Sequence, residues 1–213
     1  SYSGESPFKP RIQDKATPKM AVQLADGSTD FDGTNDYINI DGLTISGNQA
    51  TFSFWVKSTQ TSTTKYLLDI TGNRFVFAFN SASSGTIGIF DGSSWSDFGG
   101  ANDGKWHNIV FVLNNTSAIC YKDGSQLGST ATITAINIAS ASSAKIGTHN
   151  EATGNFFNGS MANVAIYSSA LTQTQIQELM FTEKYSGLSA ELKTNLVSWY
   201  DLGEAVESDN LIL

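Results

Sequence analysis

The chain is short of cysteine, proline and positive charge, and each shortage excludes something. Cys120 is the single cysteine in 213 residues, so there is no disulfide framework and no thiolate metal cluster. A lone thiol within a strand is core filler. The three prolines, Pro7, Pro10 and Pro18, fall in the first twenty residues, where they interrupt any β-ladder. Twelve basic residues face 20 acidic ones, giving a net charge of −8. Affinity for nucleic acid comes largely from clustered lysine and arginine, so no nucleic-acid partner is expected. Acidity leaves room for calcium, though a plain soluble surface is its commoner meaning. No stretch approaches the ~20 apolar residues of a membrane span. The N-terminal segment also lacks the apolar core of a secretion signal.

Catalytic residue types are scarce too. A hydrolytic triad needs a histidine beside an activated nucleophile, and only His107 and His149 exist. His107 falls within a strand and reads as structural. The acidic run Asp201, Glu204 and Glu207 has helical spacing and lies in the tail. No phosphate-binding glycine-rich loop is present. The chain is therefore not expected to be an enzyme.

What the sequence does have is strand pattern. Trp106–Gly128 reads as three strands joined by two tight turns. Ile109, Phe111 and Leu113 point one way, Val110 and Val112 the other, so this strand is expected to be central and covered on both faces. Asn114-Asn115 and Asp123-Gly124 tolerate the left-handed backbone that tight turns require. Around this meander, Phe52, Phe54 and Val56 alternate with Ser53, Trp55 and Lys57, and Phe75, Phe77 and Phe79 share one face. The segment SSWSDFGGANDGK, holding Trp95, reads as an aromatic, glycine-rich loop. A helix signal comes only late. Thr172 with Gln175 forms a capping box, Leu171 staples to Ile176, and Ile176, Leu179 and Met180 give one apolar stripe.

Short strands every 8 to 14 residues with no βαβ alternation predict an all-β fold, an antiparallel β-sandwich with jelly-roll architecture, one short C-terminal helix and extended terminal arms. Residues 1–21 read either as a disordered leader or as an extended N-terminal arm that lies on a neighbouring subunit, anchored by Tyr2, Phe8 and Ile12. Residues 22–182 form the domain, opened by Val22 and Leu24. Residues 183–213 form an extension with an added strand at 196–202.

The order of these motifs resembles the concanavalin A-like lectin/glucanase superfamily, in its laminin G-like branch. The residues that carry the resemblance begin with Phe31-Asp32-Gly33 and Asp36-Tyr37-Ile38, followed by Thr51 to Val56 and Trp106 to Val110. Tyr121 to Gly124, Lys145-Ile146-Gly147, Phe157 to Gly159, Val164 to Tyr167 and Ala170-Leu171 complete it. The family usually opens with a strand like leu-val-x-tyr-trp-x-leu-asp-glu. Here that pattern appears after the helix, as Leu196 to Leu202. It either closes this domain's own sheet or a neighbour's, or begins a further repeat. Glucanases of the superfamily carry Glu-x-Asp-x-Glu, with nucleophile and acid about 5 Å apart, and this chain lacks that motif. The resemblance also implies a calcium site near Asp32, Asn35 and Asp36. The family's later acidic position is Ala162 or Asn163 here, and turn-forming Asp and Asn have a structural use of their own. No other cofactor is implied.

Recognition remains. Carbohydrate sites in such sandwiches pair stacking aromatics with amides and carboxylates. Two loops offer that mixture: Trp95, Asp97, Phe98, Asn102 and Asp103 in one, and His149, Asn150, Glu151, Asn155, Phe156 and Asn158 in the other. The two appendages suit a subunit that clasps its neighbours, with Tyr2, Phe8, Ile12, Val197, Trp199 and Leu202 as contacts to protein partners. The expectation is a non-catalytic adhesion or assembly module on a particle surface, such as a phage capsid decoration or fibre protein, on a virion or extracellular surface. The alternative is a secreted carbohydrate-binding lectin domain from a tandem array, with glycans as partners.

Overall fold

Alternation along the strands dictates two stacked sheets. The computed structural model describes residues 27–61, 63–70, 75–79, 85–136, 138, 141, 143–149 and 151–203. The first sheet runs in the order β1 (Thr29–Asp32), β12 (Asn158–Tyr167), β3 (Gln49–Lys57), β8 (Trp106–Asn114), β9 (Ser117–Lys122), β10 (Ser125–Thr132), with β13 (Leu196–Tyr200) also on β12. The second runs β2 (Ile38–Asn39), β11 (Ala144–Ile146), β4 (Lys65–Ile70), β5 (Phe75–Phe79), β6 (Thr86–Phe90), β7 (Trp95–Gly100). All pairings are antiparallel. The sandwich is the one expected. Tyr2, Phe8, Ile12, Val22 and Leu24 lie outside the described residues.

Phenylalanines join the two sheets. Phe77 on β5 meets Phe52, Phe54 and Phe111 of the first sheet at ring-centroid distances of 4.5, 6.0 and 4.8 Å, all four fully buried. Such pairs add to the transfer free energy of burial. Cys120 packs in the same core, and burial pushes its thiol well above the ordinary value.

The central strand β8 is apolar on both faces because both are covered. Behind it, Val110, Val112, Tyr121, Ala165 and Tyr167 pack under Leu171, Ile176, Leu179, Leu188 and Leu192. Those residues come from α1 (Gln173–Met180), α2 (Ala190–Lys193) and the chain flanking them. The capping box forms as expected, with the Thr172 side chain accepting from the Gln175 amide and the Gln175 side chain accepting from the Thr172 amide. No helix among the described residues packs over the outer face of the second sheet.

Two departures from expectation matter for function. Trp95–Gly100 is a strand, not a loop: Phe90 pairs with Trp95, Ile89 with Ser96 and Gly88 with Asp97. Its serine and paired glycines hide the alternation, and the neighbouring β6 supplies the pairing that sets it. Of the alternatives for 196–202, the strand closes its own sheet. Val164 to Tyr167 pair with Tyr200 to Leu196, while β1 takes the other half of β12, at Asn158 to Met161. Where the two meet, the Asn163 amide donates to the Asp201 carbonyl at 2.9 Å and the Thr29 hydroxyl to the Leu202 carbonyl at 3.2 Å. Val197 and Leu202 pack against the inner core and Trp199 against the helix-covered face.

Candidate functional site

Register decides which side chains share the outer face of the second sheet. Because Leu68 and Ile70 point inward, Asp69 points outward. It pairs with Lys145 on one side and Val76 on the other. Val76 pairs with Phe90, and Phe90 with Trp95. The adjacent row holds Tyr66, Ala78, Gly88 and Asp97, paired in that order. Tyr66, Val76, Ala78, Phe90 and Trp95 make one apolar cluster.

The rings of this cluster form a relay across the strands. Phe90 and Trp95 lie 5.4 Å apart between centroids, Trp95 and Tyr66 6.4 Å, and Tyr66 and His149 5.9 Å. Tyr66, at 7% exposure, is a floor residue. Trp95 and Phe90 are half-buried and Asp97 is exposed. Stacking aromatics are thus offered to solvent beside a carboxylate two residues along the same strand face.

His149 reaches the relay through a self-bonded loop. Its amide donates to the Gly154 carbonyl at 3.2 Å, its carbonyl accepts from Ala152 at 2.8 Å, and the Thr148 hydroxyl also donates to Gly154. The Glu151 amide donates to His149 Nδ1 at 3.3 Å, and the other ring nitrogen, Nε2, lies 3.9 Å from the fully buried Asp69 carboxylate.

The turn that delivers Trp95 is built on Asp91. One of its carboxylate oxygens accepts from the Ser93 and Ser94 amides at 2.9 and 2.8 Å. The other accepts from the Thr134 amide at 2.7 Å. Burial pushes this carboxyl up, but the amides of Ser94, Thr134 and Ser93 outweigh it and hold the group below the ordinary aspartate value. A lowered value means the contribution to stability is present above about pH 4 and disappears as pH falls through the folded-state value. Asp91→Asn is expected to cost about 2 kcal/mol at neutral pH, because an amide leaves an N–H without an acceptor. Urea unfolding at pH 7 and pH 3 checks this: the gap between wild type and variant narrows in acid, and a gap unchanged with pH would refute it.

Of the other sequence candidates, Glu151 and Asn155 adjoin the relay, through the His149 ring and through the Tyr66 amide, which donates to the Asn155 carbonyl at 3.0 Å. Phe98 points into the core, 7% exposed and 5.9 Å from Phe111, so it cannot touch a ligand. Asn102 and Asp103 lie past the far end of β7 from Trp95. Asn102 donates to the Gln60 carbonyl at 2.9 Å. Asp103 accepts a contact from His107 Nε2 at 2.9 Å, while His107 Nδ1 meets Asp123 at 2.7 Å, so His107 ties a turn to a hairpin. Glu151 is exposed and Phe156 half-buried. Asn155 donates to the Thr64 carbonyl at 2.8 Å. Asn158 donates to the Asp32 carbonyl at 3.2 Å. Asn150 lies outside the described residues. Tyr66, Asp69 and Phe90 were missed by sequence reasoning; the phase of Asp69 between Leu68 and Ile70 was an available signal, whereas Tyr66 is turned outward by an irregularity between Tyr66 and Leu68 that the linear pattern does not announce.

The candidate calcium donors serve their own turn. Asp32 accepts from the Thr34 and Asn35 amides at 2.7 and 3.2 Å, and Asp36 from the Asp32 amide at 2.9 Å. The Thr34 amide is the largest cause holding the Asp32 carboxyl below its ordinary value. No group of three acidic, histidine or cysteine residues fit to hold a metal gathers among the described residues.

Comparison with known proteins agrees with the fold. A laminin G domain model, described as the concanavalin A-like lectin/glucanases superfamily, matches residues 32–177. No curated protein matches. Among solved structures, domain 4 of AbnA, an extracellular arabinanase from Geobacillus stearothermophilus in complex with arabinotriose, is similar at 22% identity and a TM-score of 0.61, covering 75% of this chain and 81% of that one. The native heptameric SAP-like pentraxin of Limulus polyphemus is similar at 19% identity and a TM-score of 0.57, covering 75% and 84%. A putative carbohydrate binding protein from Bacteroides ovatus ATCC 8483 reaches a TM-score of 0.66 at 14% identity, covering 86% of this chain and 53% of that one.

Proposed function

We propose, from the premise that this chain belongs to the concanavalin A-like lectin/glucanases superfamily, that it is a non-catalytic carbohydrate-binding domain. The observation that carries the reading is the ring relay Phe90–Trp95–Tyr66–His149 on the outer face of the second sheet, with Asp97 beside it. A sugar ring presents one face of C–H bonds and a rim of hydroxyls. A half-exposed indole suits the face and a carboxylate suits the rim. Similarity to the arabinotriose-bound domain and to the Bacteroides protein supports the same reading. The absence of Glu-x-Asp-x-Glu supports binding without hydrolysis.

The assembly reading loses the C-terminal strand as a clasp, because that strand is used in its own sheet, and the carbohydrate reading takes precedence.

A glycan array followed by calorimetric titration of the best hit tests the proposal. Trp95→Ala is expected to weaken binding at least tenfold and to lower stability by about 1 kcal/mol, since Trp95 also packs on Tyr66 and Phe90. Asp97→Asn, at an exposed position, is expected to weaken binding several-fold with an unchanged melting temperature. A silent array, or hits indifferent to both substitutions, would sink the reading.

A further inference from the structure

We infer that the outer face of the second sheet takes a chain-internal stretch of neutral polysaccharide lying across the strands, with Tyr37 as a second stacking platform opposite Trp95. This rests on the carbohydrate reading above and specifies the ligand's class and pose.

Alternation places Tyr37. Ile38 packs against the inner core, so Tyr37 and Asn39 face outward with Lys145, the partner of Asn39. Tyr37 is 46% exposed, more than any other large apolar side chain described. The Lys145 ammonium lies 5.7 Å from its ring centroid, which holds the ring in place beforehand. Tyr37 enters β2, at one margin of the sheet, and Trp95 begins β7, at the other. The strand order separates their backbones by five steps, roughly 24 Å at about 4.8 Å per step, but the Trp95 ring leans back over the sheet to lie 6.4 Å from Tyr66 on β4. The β4 strand is still two steps, roughly 10 Å, from β2, which is wider than one sugar ring and suits a short run of them. His149 stands between the two margins, where it is within reach of the middle of such a chain.

Charge narrows the ligand. Asp97 and Asp69 belong to this face and Asp41 adjoins it. Lys145 is already engaged, 3.5 Å from an Asp41 oxygen and 3.2 Å from the Asn39 side-chain oxygen. With the whole chain at −8, sialylated, uronic or sulfated chains meet like charge, and a neutral chain does not.

The test is calorimetric titration with neutral arabino-, xylo-, cello- and laminari-oligosaccharides, each from disaccharide to octasaccharide, beside a sialylated and a uronic-acid series. Affinity is expected to rise with length in one neutral series. Tyr37→Ala is expected to weaken the longest member about tenfold, a stacking contribution of the usual size, and to leave the disaccharide unchanged. Tyr37→Phe is expected to bind like wild type, whereas Trp95→Ala weakens every length. Affinity flat beyond the disaccharide, or a Tyr37→Ala variant that binds the longest member normally, overturns the extended pose while leaving carbohydrate binding intact. Preference for an acidic series overturns the neutral class. If no oligosaccharide binds, the underlying carbohydrate reading fails with it.

Discussion

A chain cut after Asn195 is expected to melt roughly 10–20 °C below the full chain, the consequence of losing about 5 kcal/mol in a domain of this size. The loss has two parts. Leu196, Val197, Trp199 and Leu202 are half-buried apolar side chains packed against both cores. Each contributes on the order of 1 kcal/mol by area removed from water. Removing β13 also strips the hydrogen-bond partners of β12 from Val164 to Tyr167 and exposes the inner core beneath Val197 and Leu202. Differential scanning calorimetry of the two chains checks it. Equal melting temperatures would mean that the strand's place on β12 contributes nothing.

Gly159→Ala is expected to destabilise by about 4 kcal/mol or to prevent folding, at the high end for a single substitution. Gly159 sits on β12 with φ +143°, and a Cβ there would lie 2.2 Å from the Lys57 carbonyl oxygen. The obstacle is backbone, so no rotamer change relieves it. Ser160 pairs with Lys57 and Asp32 with Asn158 at this point, so a shift of the chain disturbs ladders on both sides. Urea unfolding is the measurement. Gly42→Ala is a useful contrast: φ is +85° there, with nothing within 4 Å of the new methyl. It should cost about 1 kcal/mol from left-handed strain alone. Equal effects at the two sites would refute the clash.

Sequence alone reveals those parts of the fold whose pattern is carried by strongly apolar residues. Phe75, Phe77 and Phe79 on one face predict a core strand, and all three are fully buried. Val110 and Val112 against Ile109 and Phe111 predict coverage on both sides of β8, and the helices provide it. The capping box at Thr172 is local chemistry and therefore readable. The site is legible only in fragments. Trp95 and His149 are visible as aromatics in polar surroundings, but nothing in the linear order says that Tyr66 joins them. That meeting depends on the register of the four consecutive strands β4 to β7, which irregularities at Tyr66/Leu68 and Ile87/Gly88 shift, and on a loop some fifty residues further on that brings His149. Phe98 shows the opposite failure: it looks like a neighbour of Trp95, yet a phase of three along a strand turns it to the other face.

The split edge of β12 sets an order for folding. The contact from Thr29 to Leu202 closes a span of 173 residues, among the longest separations a chain of this length allows. Contacts of that range form slowly, because the entropy of closing the loop precedes any gain. During synthesis, β12 from Val164 to Tyr167 therefore waits with its backbone N–H and C=O groups open until residues 196–202 have left the ribosome. Until then that edge is a template for pairing with another nascent chain.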